Sequence, residues 1–241
     1  MAVRFRRLPG LFRHFTSVIG INNPVNYIPY KGQCKVIHMA SPKGSLSLVV
    51  GLGNHSMPNT RHSVGMAVVN HLAEKLGAEW SFSKKYQGYL AMTQIPQQNI
   101  ILLKPKLLMN VNGRSIVRVV SAYNIQPSHV ILVHDELDKA LGKFSIKYGG
   151  SAGGHKGVKS SINQLMSLEM VRLRVGIGRP VDRSQVSDYV LQDFSESEKP
   201  ILTCVLEECS QTILNYLHPS DDTTHEDHSS SKRKRKHGKV S

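Results

Sequence analysis

Polar side chains suited to acid–base chemistry lie at the ends of apolar segments in this chain. Asn54 closes the segment VVGLGN, and His62 lies shortly after it in TRHSVG. Asp135 follows a second apolar run, in ILVHDELD. Open α/β sheets place their sites where strand ends face helix starts, because helix N-terminal amides point into that crevice. We therefore expect these three side chains to share one crevice.

His62 and Asp135 have the chemistry of a base and its orienting carboxylate. A histidine at a helix start lies near the positive end of the helix dipole, which disfavours the charged imidazolium and favours a proton acceptor. A carboxylate bonded to its other nitrogen would fix the tautomer and stabilise the cation that forms during reaction. The spacing also allows a structural interpretation, in which His62 caps a helix and Asp135 caps a loop.

The glycine-rich motif GGSAG allows two further interpretations. It satisfies the G-x-S-x-G pattern of serine esterases, with Ser151 as nucleophile, Asp182 or Asp188 as carboxylate and His218 as base. Alternatively, the turn is an anion-binding nest whose amides and Lys147 receive a phosphate. The residue pattern by itself leaves both possibilities open.

Strand and helix patterns alternate along the chain and predict the elements that position these residues. Apolar runs and alternation predict strands over residues 45–52, 100–103, 130–133, 143–148 and 171–177. Helical spacing predicts helices over residues 62–76, 110–123, 157–165 and 195–216. Ser195 with Glu198 three positions later predicts a capping box for the last helix. This order predicts a single-domain α/β sandwich with a central mixed, mostly parallel sheet flanked by helices.

Positive charge is unevenly spread over the 241 residues, which carry a net charge of +14. Residues 1–44 contain seven Lys or Arg and no acid, with apolar residues at helical spacing. This composition predicts a mitochondrial targeting segment, whereas a start at Met39 would give a cytoplasmic product. Residues 218–241 are polar and basic, which predicts a disordered tail. Residues 45–217 keep a net charge of +5, a modest argument for a polyanionic partner.

Cysteine usage and hydropathy argue against a zinc site and against a membrane-spanning segment. The chain has Cys34, Cys204 and Cys209, without a CxxC pair or the His/Cys spacing of a zinc site. We therefore expect free thiols in a reducing compartment. Because no apolar run reaches the roughly 20 residues that span a bilayer, we expect no membrane insertion.

Several motifs, in order and at similar spacing, resemble the bacterial-type peptidyl-tRNA hydrolase family, including its eukaryotic members. They are VVGLGN with TRHSVGM, LLKPKLLMNVNGRS, ILVHDELD, KYGGSAGGHKGVKS and VRLRVGIGRP. The resemblance covers residues 45–217 and implies a monomeric α/β sandwich around a mixed sheet. It implies cleavage of the ester between a peptide and the 3′-terminal adenosine of tRNA, which recycles tRNA from stalled translation. Peptidyl-tRNA is the implied partner, with the ribosome as a further candidate and no metal or organic cofactor.

The resemblance also implies a role for each matching residue. His62 is the general base that activates water, and Asp135 orients it. Asn54 positions the water or the substrate carbonyl, while Asn110 hydrogen-bonds the peptide backbone. Leu108 and Met109 form the wall of the crevice, and His155 flanks the crevice. Lys147 and Arg174 bind the 5′-phosphate of tRNA.

This sequence departs from the family pattern at several positions. The loop before His62 is short and has His55 where proline is usual, and Ser63 stands where asparagine is common. Lys156 replaces an asparagine that contacts substrate, and a lysine there could bind phosphates of the tRNA 3′-end. Lys156 and the basic tail favour a rival interpretation, a non-catalytic RNA-binding adaptor on the same fold. The joint presence of a base and a carboxylate favours the enzyme.

Overall fold

The computed structural model describes residues 45–218. The predicted leader at residues 1–44 and the tail beyond residue 218 lie outside the described residues. The described strands are β1 (Ser45–Gly51), β2 (Ser81–Ser83), β3 (Gly88–Ile95), β4 (Gln98–Pro105), β5 (Val130–Glu136), β6 (Phe144–Tyr148) and β7 (Val171–Gly176). The described α-helices are α1 (Val64–Lys75), α2 (Gly113–Tyr123), α3 (Lys156–Leu165), α4 (Val186–Val190) and α5 (Lys199–Leu217).

The strands form one seven-stranded sheet in the order β2-β3-β4-β1-β5-β7-β6. The central strands β4, β1, β5 and β7 pair in parallel, whereas β2, β3 and β6 pair antiparallel at the two sides. Parallel strands need crossovers, and the helices between them supply these connections. The predicted α/β sandwich with a mixed sheet, parallel in its centre, is confirmed.

Helices cover both faces of the sheet, so its central strands are buried on both sides. Val49 of β1 belongs to the core that contains α1 and α5 side chains such as Val68 and Val205. Its neighbours Leu48 and Val50 belong to the opposite core, with side chains from α2 and α3. This division follows from the two-residue period of a strand, and it explains why the central strands read as continuous apolar runs.

Two predictions about local structure need correction. The strands β2 and β3 were not expected, because their residues are partly exposed and lack a strong apolar run. The last helix begins at Lys199 rather than Ser195, whose hydroxyl contacts Ser197 instead of a helix amide. Half of the capping box exists, since the Glu198 carboxylate accepts the Ser195 N–H at 2.8 Å. That carboxylate also binds Arg61, which holds residues 195–198 in a turn ahead of the helix.

The described helices include none with both the length and the apolar character needed to cross a bilayer. Cys204 and Cys209 are free cysteines. The features that position a site are the carboxyl ends of β1, β4 and β5, which lie side by side because these strands run in parallel. Residues that follow these strand ends therefore meet at one edge of the sheet.

Candidate active site

A cavity of about 600 Å³ opens at this edge of the sheet. Its lining includes most of the predicted site residues, namely Asn54, His62, Leu108, Met109, Asn110, Asp135, His155 and Lys156. Lys147 and Arg174 are outside this lining. The lining also draws on the segment around α4, through Val186 and Val190. The structure thus brings together residues that are distant in sequence and places the basic pair elsewhere.

His62 and Asp135 form a direct hydrogen bond within the cavity. The Nδ1 atom of His62 lies 2.8 Å from Oδ1 of Asp135, and the Nε2 atom of His155 lies 2.8 Å from the same oxygen. Burial of Asp135 opposes its ionisation, but the charge and hydrogen bond of His155 and those of His62 outweigh this effect. The pKa of Asp135 is therefore held well below its usual range, and Asp135 is an ionised acceptor at neutral pH.

An ionised carboxylate accepts hydrogen bonds only, so this geometry fixes the tautomers of both histidines. His62 donates from Nδ1, which leaves a lone pair on its Nε2. His155 donates from Nε2, and its Nδ1 accepts the N–H of Val158 at 3.2 Å as the N-cap of α3. Both nitrogens of His155 are therefore engaged, whereas His62 has a nitrogen that can accept a proton.

The turn that carries His62 is fastened to the end of β1. His62 lies in a 3₁₀ turn, Arg61–Ser63, immediately before α1. The fully buried Ser63 accepts the backbone N–H of Asn54 at 3.1 Å and the hydroxyl hydrogen of Thr60 at 3.2 Å. Ser63, a departure from the family pattern, therefore aligns the predicted base with the predicted positioning residue.

Asn54 is also held on the side of β4. Its Oδ1 atom accepts the N–H of Met109 at 2.9 Å, so the Nδ2 group is the part of the amide that can donate to a substrate. Asn112, which is fully buried, donates from Nδ2 to the carbonyl of Gly53 at 3.0 Å. Both bonds join residues 109–112 to the residues that follow β1, and they fix Asn54 in the cavity wall.

The other predicted crevice residues differ in their exposure. Met109 is 4% exposed and lies against α3, where a Cβ added to Gly157 would come within 2.3 Å of its Sδ atom. Leu108 is 63% exposed, at the rim of the cavity. Asn110 and Lys156 are exposed too and can reach a bound molecule. Met109 thus forms the wall, while its neighbours are available for substrate.

The predicted basic pair lies on one face of β6 and β7. Arg174 is opposite Ser145, and Lys147 is opposite Arg172 two positions further along the register, so Lys147 and Arg174 are diagonal neighbours on one face. The guanidinium of Arg174 donates to Glu136 at 3.3 Å and to Ser145 at 3.2 Å. Together with Arg172, this face carries three basic side chains beside the cavity.

Arg172 organises the glycine turn and argues against an esterase. Its guanidinium donates to the carbonyls of Gly149, Gly150 and Ser151, at 2.8 Å for Gly150 and 2.6 Å for Ser151. Within residues 45–218, no hydrogen bond joins the Ser151 side chain to a histidine or a carboxylate. Asp182 instead accepts the N–H of Ser184 at 2.8 Å. The serine triad that the motif allowed is therefore not assembled.

Two residues close to the base were not singled out from the sequence. His134 is buried, and its Nδ1–H donates to the carbonyl of Asp135 at 2.7 Å. Burial, followed by the nearby charge of His155, lowers the pKa of His134 to about 3, so its ring is neutral. Its ring centre lies 4.6 Å from that of His155, so the two rings pack against each other.

Arg61 is the second residue that sequence patterns did not reveal. Its guanidinium donates to both carboxylate oxygens of Glu198, at 2.9 and 2.7 Å. It also lies 4.5 Å from the ring centre of Tyr189 and 5.0 Å from that of Phe194. Because Arg61 directly precedes His62, these contacts fix the base against the segment that leads into α5.

His62, Asp135 and His155 also have the residue types of a metal site. Their ligand atoms lie within 4.8 Å of one another. These atoms are, however, donors and acceptor of the two hydrogen bonds that fix the tautomers. A metal ion would have to replace both bonds and would occupy the oxygen that orients His62.

Together these contacts place a histidine nitrogen that can accept a proton beside an amide group that can donate a hydrogen bond. Comparison with known proteins identifies the family to which the chain belongs. Residues 48–237 match the peptidyl-tRNA hydrolase family, and the chain belongs to that family. A Mus musculus protein named "Probable peptidyl-tRNA hydrolase" is 44% identical over 176 residues, which cover 72% of this chain and 86% of the mouse protein.

Bacterial relatives and a solved structure agree with this assignment. The peptidyl-tRNA hydrolase of Sulfurihydrogenibium sp. (strain YO3AOP1) is 37% identical over 174 residues, which cover 71% of this chain and 91% of the relative. The crystal structure of peptidyl-tRNA hydrolase from Acinetobacter baumannii superposes with a TM-score of 0.68 at 31% identity. That match covers 73% of this chain and 91% of the bacterial one. The resemblance found in the motifs is therefore confirmed.

Proposed function

We propose that this protein hydrolyses the ester bond of peptidyl-tRNA with a water molecule activated by His62. The observation that carries this proposal is the hydrogen bond from His62 Nδ1 to Asp135, which leaves Nε2 as the proton acceptor. Asn54 lies in the same cavity wall with its Nδ2 group able to donate. Membership of the peptidyl-tRNA hydrolase family supports the choice of substrate.

The reaction follows from these positions. Nε2 of His62 removes a proton from water as the water oxygen attacks the ester carbonyl carbon. Asp135 stabilises the imidazolium that forms, and the amide of Asn54 donates to the oxyanion. The bond from the carbonyl carbon to the ribose oxygen then breaks, and the imidazolium returns its proton to that oxygen. The products are a tRNA with a free 3′-hydroxyl and a peptide with a free carboxylic acid, which releases its proton to the solvent at neutral pH.

The remaining predicted residues fit around this reaction. Asn110, exposed on the rim, donates to the peptide backbone, and Lys156 receives a phosphate near the tRNA 3′-end. Lys147 and Arg174 lie outside the cavity, where a phosphate distant from the ester is the group that they can reach. RNA carries many phosphates, so these contacts supply salt-sensitive affinity, while the cavity supplies the chemistry.

Hydrolysis of N-acetylaminoacyl-tRNA by the purified protein tests the proposal. We expect turnover that a chelator leaves unchanged, that His62→Ala reduces by about 10²–10⁴-fold, and that Ser151→Ala retains. The matched control is His129→Ala, because His129 is exposed at the opposite end of β5. Tight tRNA binding without turnover would instead support the RNA-binding adaptor, which needs no base.

We also propose that residues 1–44 direct the protein to mitochondria, and the acid-free, arginine-rich composition of that segment supports this proposal. We further propose that the protein acts as a monomer on tRNA released from stalled ribosomes. Import into isolated mitochondria, compared with that of a product starting at Met39, tests the address. Protease protection of both products alike would contradict it. Light scattering of the purified protein tests the oligomeric state.

A further inference from the structure

An aromatic and basic surface lies beside the cavity, on β2, β3, the end of β4 and the loop that follows β1. We call it the outer-strand surface and define it by His55, Phe82, Tyr89, Lys104 and Lys106. Phe82 is opposite Tyr89 in the sheet, and Tyr89 is opposite Lys104, so these side chains share one face. The ring centres of Phe82 and Tyr89 are 5.3 Å apart, and His55 stacks on Tyr89 at 5.0 Å with an interplanar angle of 23°.

The outer-strand surface carries positive charge without acidic partners. The ammonium of Lys104 lies 4.1 Å from the ring centre of Trp80, and that of Lys106 lies 4.9 Å from the ring centre of Phe82. Among the ion pairs within residues 45–218, none involves Lys104 or Lys106. Burial, with the charges of Lys106 and Lys104, lowers the pKa of His55, so its ring is a flat and uncharged member of the stack. A ligand that complements this surface is acidic and aromatic.

The position of the surface relative to His62 indicates which half of the substrate, the RNA or the peptide, lies against it. Asn54, whose Oδ1 binds the backbone of Met109, directly precedes His55, and Lys106 lies on the segment that leads from β4 to Asn110. The basic face of β6 and β7 lies on the other side of the catalytic pair, since β1 and β5 separate the two groups of strands. An ester held at His62 must send its two halves in different directions. With the RNA on the β6–β7 side, the acyl half faces the outer-strand surface.

We propose that the outer-strand surface binds the peptide half of the substrate and favours peptides with acidic and aromatic side chains. This inference rests on the proposed hydrolysis of peptidyl-tRNA. Carboxylates of the peptide contact Lys104 and Lys106, and its aromatic rings join the stack of His55 and Tyr89.

The test compares substrates that share one tRNA and the amino acid at the ester. One carries a peptide of about six residues with Asp and Phe, which spans about 20 Å when extended, and a second carries Lys and Ala at the same positions. The third is N-acetylaminoacyl-tRNA. We expect the wild-type protein to hydrolyse the acidic, aromatic peptide with kcat/KM about three- to tenfold above that of the basic one.

Variants of the surface should remove this preference and leave the short substrate unaffected. His55→Ala with Lys106→Ala should bring the two longer peptides to equal kcat/KM, and Lys106→Glu should favour the basic peptide. Lys159→Ala and Tyr148→Leu are matched controls, since both residues are exposed and lie outside the cavity lining and the surface. The controls should keep the wild-type preference.

The outcomes separate this inference from the proposed function. Absence of turnover on every substrate, including the short one, contradicts the hydrolase itself. Equal turnover of both longer peptides by the wild-type protein overturns the peptide-binding surface alone. A loss in the double variant that is the same for all three acyl groups, and that disappears on a minimal 3′-end RNA, shows that the surface binds RNA instead.

Discussion

The Nδ1 atom of His62 lies 2.8 Å from Oδ1 of Asp135, although the two residues are 73 positions apart in the chain. This contact requires that the start of α1 comes very close to β5. Gly65 makes the approach possible, since a Cβ at this position would lie 2.2 Å from the carbonyl oxygen of Val133. The backbone contact at Gly65 therefore sets the distance between base and carboxylate.

Replacing Gly65 with alanine should damage both the fold and the site. The added methyl group meets backbone that cannot rotate away, so we expect the free energy of unfolding to fall by about 3 kcal/mol. Gly77→Ala is the matched control, because nothing lies within 4 Å of its added Cβ although its φ is +60°. Its cost should be about 1 kcal/mol. Urea denaturation measures both, and equal losses would show that the close approach does not matter.

Asp135→Asn should reduce kcat by about 10³–10⁴-fold with little change in tRNA binding. An asparagine preserves the size of the side chain but no longer holds the Nδ1–H tautomer of His62 or stabilises its cation. Turnover of N-acetylaminoacyl-tRNA under saturating conditions measures the change. Asp193→Asn serves as control, because Asp193 is exposed and outside the cavity lining. A variant with wild-type kcat would leave the carboxylate without a role in the reaction.

Lys147→Ala should lower kcat/KM for tRNA with a 5′-phosphate more than for a minimal 3′-end substrate. The ammonium of Lys147 is outside the cavity, so it can influence only a group distant from the ester. Loss of one phosphate contact should weaken binding by about 1 kcal/mol, or about fivefold. Lys159→Ala again provides the control. The same fractional loss on both substrates would contradict the phosphate contact.

Glu198→Gln should lower stability at neutral pH but not at strongly acidic pH. The hydrogen bonds from Arg61 lower the pKa of Glu198 from 4.5 to about 2. A carboxylate with a depressed pKa stabilises the fold above its unfolded pKa, and the contribution disappears as the pH falls through the folded value. We expect a deficit of about 2 kcal/mol at pH 7 that shrinks between about pH 5 and pH 2.

Urea denaturation across this pH range measures the deficit. Glu196→Gln is the matched control, since Glu196 is exposed and forms a surface ion pair with Lys199. Its effect should be close to zero at every pH. A deficit for Glu198→Gln that stays constant from neutral to acidic pH would show that the Arg61 pair does not supply the stability.

The sequence was sufficient for the central strands and for the residues at their ends. Buried parallel strands are continuous apolar runs, and polar residues that end such runs must lie at one edge of the sheet. This reasoning placed Asn54 and Asp135 in one cavity with His62, as the structure shows. The half-exposed strands β2 and β3 escaped prediction because β3 is stabilised by pairing with β4, and β2 by pairing with β3, rather than by their own pattern.

The residues that align the site were not predictable from local patterns. Asn112 binds Gly53 across 59 residues, and Arg61 binds Glu198 across 137 residues. Such contacts depend on which elements become neighbours, and no short window of sequence encodes that information. The sequence shows that a histidine precedes Asp135, but only the structure shows that His134 is buried, stays neutral and packs against His155.

The ion pair between Arg61 and Glu198 connects the position of the final helix to that of His62. Arg61 directly precedes His62, and Glu198 directly precedes α5, so this ion pair connects the helix to the predicted base. Truncating α5, or binding another macromolecule along it, should shift the imidazole of His62 without any direct contact with the cavity. Damage at this end of the chain should therefore mimic an active-site lesion.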